Sequence, residues 1–141
     1  MKRTTILLLS LAACGGIPMK PEGCPAEFVP VDRGAYEWRV MSARGVVIAR
    51  RDFPRQHEET LDFVATVTRK EFEEARGYAF VSEEKAGNGQ SMLFAAGETA
   101  SYLVTVWVTE RQIVVVEAGG PKEAFEADAA AVRAWLAKMK V

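Results

Sequence analysis

The sequence predicts an α+β fold: an α/β/α sandwich with one antiparallel six-stranded sheet between two helices, in the order ββαββββα. Three observations predict it. Several short segments alternate apolar and polar residues, the pattern of strands with one buried face. Two longer segments carry apolar residues at helical spacing, one after the first hairpin and one at the end of the chain. The composition, 49% hydrophobic and 26% charged over 141 residues, is that of one folded domain.

The first thirteen residues have the order of an export leader. Lys2 and Arg3 form a positive start, Ile6-Leu7-Leu8-Leu9-Ser10-Leu11 an apolar stretch, and Ala12-Ala13 a small-residue end. The apolar stretch is far below the roughly 20 residues a helix needs to span a bilayer. Leu11-Ala12-Ala13-Cys14 resembles the lipobox of bacterial lipoproteins. The resemblance implies cleavage before Cys14, a diacylglyceryl group on its thiol, and a further acyl chain such as palmitate on the new amino terminus. Several chains hold a protein to a bilayer stably, where one binds marginally. Gly15, where an aspartate would signal retention, implies in the same family transfer to the outer membrane. The alternative is a plain export signal with Cys14 left as a thiol. Acylation leaves Cys24 as the remaining thiol; without it, a Cys14–Cys24 bridge across a short loop is the expectation.

Residues 14–35 read as the lipidated cysteine and a flexible tether. Gly15, Gly16, Pro18, Pro21, Gly23, Pro25 and Pro30 leave no room for a helix or a paired strand. Some 20 such residues reach roughly 25 Å, which would let the domain reorient above the bilayer.

The globular domain, 36–141, begins with Tyr36, Trp38 and Val40 alternating with Glu37 and Arg39. A turn at Ala43-Arg44-Gly45 leads to Val46-Val47-Ile48-Ala49 and a second strand ending near Phe53-Pro54. Over 59–76, Leu61, Val64, Phe72 and Ala75 share a helical face, and Gly77 suits a left-handed cap. Strands at 78–84 and 90–96 flank Ala86-Gly87-Asn88-Gly89, whose Asn-Gly pair suits a tight hairpin. Along 101–109, Tyr102, Val104, Val106 and Val108 alternate with Leu103, Thr105, Trp107 and Thr109. Ile113-Val114-Val115-Val116 is apolar on both faces, hence central and covered on both sides. After Gly119-Gly120-Pro121 the closing helix steps through Phe125, Ala129, Val132, Leu136 and Met139, with Trp135 beside them.

This order, and several segments within it, resemble the PsbP-like superfamily, named for an extrinsic photosystem II subunit. The likeness rests on Gly45-Val46-Val47-Ile48, on Gly77-Tyr78-Ala79-Phe80, and on Ser101-Tyr102-Leu103-Val104-Thr105-Val106 running through Ile113 to Glu117-Ala118-Gly119-Gly120 and the last helix. It covers 36–141 and implies the scaffold. Function does not travel with it, because members do unrelated things on one fold.

Losing Lys2 and Arg3 with the leader leaves 16 basic against 19 acidic residues, a net charge of about -3, which gives nucleic acid no electrostatic foothold. His57 is the single histidine, and with Glu58 and Glu59 it makes no metal-ligand spacing, so no metal or cofactor is expected. Ser42, Ser82, Ser91 and Ser101 lack a Gly-x-Ser-x-Gly elbow, so no catalytic residue is assigned. Arg50 and Arg51 point to opposite faces of their strand. Glu117, ending a valine strand beside Gly119-Gly120, is a candidate carboxylate, and Trp107 and Trp135 are candidate groove walls. For each, an ordinary structural role is the competing account.

The expected function is a membrane-anchored lipoprotein of the cell envelope, facing the periplasm, that binds an envelope protein partner without catalysing a reaction. The alternatives are a carrier of a small apolar ligand and, behind it, a hydrolase. A binding module should expose a patch on a hairpin or helix face. A carrier should enclose an apolar cavity of roughly 300 Å³ or more. An enzyme should bring Glu117 or His57 to a second polar group in a cleft.

Overall fold

The computed structural model describes residues 18–141; the leader 1–13 and Cys14 lie outside the described residues. Among the described residues the chain forms seven strands and two helices. These are β1 (Phe28–Pro30), β2 (Trp38–Ser42), β3 (Val47–Pro54), α1 (Leu61–Lys70), β4 (Ala79–Ala86), β5 (Gly89–Ala96), β6 (Ala100–Val108), β7 (Gln112–Pro121) and α2 (Lys122–Lys138). All pairings are antiparallel, in one open sheet of order β1-β2-β3-β7-β6-β5-β4. The fold is α+β.

The sheet corrects the expected count of six strands and the order ββαββββα, because β1 lies within the stretch expected as tether. Two strand-forming residues followed by a proline are too short a run to mark a strand alone. Their pairing comes from outside: Phe28 sits opposite Ser42, Val29 opposite Met41 and Pro30 opposite Val40. Phe28 is fully buried in the core, and an edge strand tolerates a residue with no amide hydrogen. The chain before it is also fastened. The Cys24 amide donates to the Pro21 carbonyl at 3.2 Å, and Trp135 Nε1 donates to the Glu22 carbonyl at 3.0 Å.

The two helices cover opposite faces unequally. On one face α2 sets Phe125, Val132, Trp135 and Leu136 against Val40, Ile48, Leu103, Trp107, Val114, Val116 and Ala118. On the other, α1 sets Val64 and Ala65, with Phe72 just after it, against Met92, Phe94, Val104 and Val106. These partners belong to β5 and β6, so α1 covers that half of the sheet and leaves the β1-β2-β3-β7 half open. β7 is central, as its apolar run requires. Val114 and Val116 are fully buried under α2, whereas Ile113 and Val115, at the margin of the cluster under α1, are only part-buried.

The expected helix over 59–76 is shorter and changes pitch. The Thr60 hydroxyl accepts from the Phe63 amide at 3.2 Å and caps the start of α1. Residues Glu71–Ala75 then form a π-helical turn, in which the Arg76 amide donates to the Glu71 carbonyl at 3.3 Å. Gly77, at φ +70°, ends it and lets the Tyr78 amide reach back to the Phe72 carbonyl.

Candidate functional site

The open half of the α1 face is built by strand register. Val29, Met41 and Val47 sit opposite one another across β1, β2 and β3. Side chains alternate along a strand, so Ala49, Arg51 and Phe53 share the face of Val47. They pair with Glu117, Val115 and Ile113 of β7. Three apolar side chains stand in water on this face beside exposed Arg51: Val29 is 54% exposed, Met41 39% and Phe53 45%. Helix α1 faces it with Val64 and Thr68, while its Phe63 and Val67 are exposed on the helix itself.

Between α1 and this face lies a pocket of about 220 Å³, with Ala49, Val64 and Val115 in its apolar wall and Arg51, Glu71, Arg76 and Glu117 as its charges. Glu117 is held from two sides. Arg76 Nη2 donates to Oε1 at 3.4 Å, and the Tyr102 hydroxyl donates to Oε2 at 3.2 Å. The π-helical turn places the cation: Arg76 follows it directly, with its guanidinium 4.0 Å from the Phe72 ring centre and 3.8 Å from Glu71 Oε1. A helix rarely widens to this pitch, and where it does the turn tends to mark a functional position. Phe72 also packs on Tyr78, Phe94 and Tyr102. Arg51 stacks over Tyr36 at 4.5 Å, so it meets the pocket as a fixed plane.

The electrostatics follow from this packing. Burial, then the Glu117 carboxylate, push the Tyr102 phenol well above its usual range, so it stays a donor at neutral pH. Partial burial works against the Arg76 charge, but Glu117, Tyr102 and Glu71 outweigh it and the guanidinium moves up. Glu117 does meet two polar groups in a cleft, as an enzyme would require. Each of its oxygens already accepts a hydrogen bond, so the carboxylate is held in place from both sides.

The other residues singled out in the sequence separate. Trp107 is core: it lies under α2, and a Cβ at Gly89 would come within 2.5 Å of its Nε1. Trp135 belongs to the α2-side core and also edges a hollow, which is not the Glu117 pocket. It packs on Trp38 with ring centres 5.4 Å apart and lines an open hollow of about 430 Å³ on the α2 side with Pro21, Gly23, Arg50 and Lys138. Arg50 and Arg51 do face opposite ways, and Arg50 is taken up by Asp52 through bonds of 2.7 and 2.9 Å. Exposed His57 gives its amide to Glu59 Oε2 at 3.0 Å. Cys24 is half-buried against the α2-side core, and burial raises its thiol pKa. Arg76 and Tyr102 were not visible as site residues in the sequence, since only folding brings them to Glu117.

Among the described residues no group of His, Cys, Asp and Glu could hold a metal ion, and no helix is long and apolar enough to cross a membrane. No protein-family model matches the chain, and none of the curated proteins compared with it is similar.

Proposed function

We propose that the protein is a lipoprotein of the bacterial cell envelope, anchored in the outer membrane through acyl chains on Cys14 and facing the periplasm. It serves there as a non-catalytic binding module on a PsbP-like scaffold. One observation carries the binding role: the half-face left open by α1, where Val29, Met41 and Phe53 stand in water on the sheet face that carries the Glu117–Arg76 pocket. Exposed apolar side chains gathered on one face, with fixed charges between them, suit a protein partner that buries the one and pairs with the other. A carrier reading is less well supported, because the smaller hollow is ringed by charge and the larger is open to solvent.

The test is site-specific photo-cross-linking in cells, with the reactive side chain placed at Val29, Met41 or Phe53 and, as a control, at exposed Glu126 on α2. One discrete adduct from the first three positions and none from the control supports the reading. Equal yields from all four, or none, sink it. The anchor is tested separately by intact mass: purified protein with an unmodified Cys14 or a retained leader refutes it.

A further inference from the structure

Three residues separate Cys14 from Pro18. An extended chain covers at most about 3.6 Å per residue, so the two Cα atoms lie within about 14 Å of each other. Pro18 is already part of the domain surface. With Pro21, Trp38 and Val31 it walls a hollow of about 450 Å³ at the β1–β2 loop, beside the hollow that Trp38 shares with Trp135. An acylated Cys14 therefore brings this corner, rather than the whole domain on a long leash, to the membrane surface.

The corner has the charge such a position calls for. Lys20, Arg33, Lys138 and Lys140 are exposed around the two hollows, against the acids Glu22 and Glu37. The chain without its leader carries a net charge of about -3, so the basic excess here is local and opposite in sign to the rest. A basic residue held near an anionic lipid surface favours binding about fivefold, and the effect fades within a Debye length. We infer that this corner rests on the anionic phospholipid headgroups of the leaflet that holds Cys14, fixing the domain in one orientation. The pocket at Glu117 shares no residue with the two hollows of this corner, so it stays available to a partner. The inference rests on lipidation of Cys14, as proposed above.

The acylated full chain, purified from membranes, is placed on vesicles of phosphatidylcholine alone or with phosphatidylglycerol. A membrane-impermeant amine reagent labels its lysines, and peptide mass spectrometry gives the rate at each. Lys20, Lys138 and Lys140 should label about fivefold more slowly on the anionic vesicles, with Lys70 and Lys85 unchanged. The protection should disappear near 1 M salt, where screening acts within about 3 Å. It should also disappear at Lys20 and Lys140 in an Arg33→Glu, Lys138→Glu variant, and protection that survives both changes overturns the docking. Chain that floats with both vesicle types but labels evenly keeps its anchor and overturns the docking. Chain that fails to float with neutral vesicles lacks the anchor, and the docking falls with it.

Discussion

Asp128 of α2 and Ser42 of β2, 86 residues apart in the chain, meet in the core: the Ser42 hydroxyl donates to Asp128 Oδ2 at 2.9 Å. Arg44 reaches the other oxygen, Oδ1, at 2.6 Å from the surface. Ser42 also sets the β2–β3 turn, where Gly45 at φ +91° donates to its carbonyl and the Val46 amide donates to its Oγ at 3.3 Å. One buried carboxylate thus ties the first hairpin to the last helix.

Asp128 is 1% exposed, so Asp128→Ala leaves a buried hydroxyl and a guanidinium without their acceptor. The expected loss is about 2 kcal/mol, read as a lower urea midpoint at unchanged slope. Arg44→Ala, at an exposed side chain, should cost less than about 1 kcal/mol. Equal losses in the two variants would mean that the buried hydroxyl contributes nothing of its own.

At Gly89 a methyl group has nowhere to go, since its Cβ would lie 2.5 Å from Trp107 Nε1 and 2.6 Å from the Val106 carbonyl. Gly89→Ala should destabilise by about 1–3 kcal/mol and shift the tryptophan emission as the indole moves. An unchanged melt and spectrum would mean that the Trp107 indole does not pack over Gly89.

Tyr102 should be the last phenol to ionise in an alkaline spectrophotometric titration, and Tyr102→Phe should remove that final component. Its folded pKa is raised, so its contribution to stability is complete below the ordinary tyrosine range and is lost as pH climbs through the raised value. In Glu117→Gln the late component should move to lower pH, because one of the charges that hold the phenol protonated is gone. A late component that stays in place in Glu117→Gln would leave burial as the whole cause.

Trp135→Phe keeps an aromatic ring against Trp38 and deletes the indole donor to the Glu22 carbonyl. Losing that bond, worth about 1 kcal/mol, should open the 18–27 segment about fivefold more often. Cleavage of the exposed Glu22-Gly23 bond by a glutamate-specific protease reads this directly. An unchanged rate would show that the bond does not hold the segment.

What the sequence disclosed depended on how local the signal was. The run Ala86-Gly87-Asn88-Gly89 marked the β4–β5 hairpin, although its two loop residues are Gly87, at φ +57°, and Asn88 rather than the Asn-Gly pair, and the alternation from Tyr102 to Val108 marked β6, because pattern and neighbours agree over a few residues. β1 was missed because its pairing is supplied by the edge of β2 and by a core that needs Phe28, neither of which a proline-rich stretch displays. The π-helical turn left no trace either, since one widened turn does not alter an apolar spacing read over a whole helix.

The site divided in the same way. Glu117 stood out as a lone carboxylate at the end of a valine strand, and Trp135 as a bulky face residue. Their partners, Arg76, Tyr102 and Trp38, come from distant segments and could be identified only once the sheet order was known. Trp107 shared its alternation with core residues, and the core is where it lies.

The short first strand bears on how the protein can be cut for expression. A fragment started at residue 36, where strand patterning first becomes obvious, discards Phe28 and the partner that shields β2. It inherits a void the size of a phenyl ring, a loss of about 3–5 kcal/mol, and a bare backbone ladder that invites pairing with a second molecule. Cloning from Pro18 or earlier keeps both plugs in place, and a fragment from 36 should run as aggregates on a sizing column.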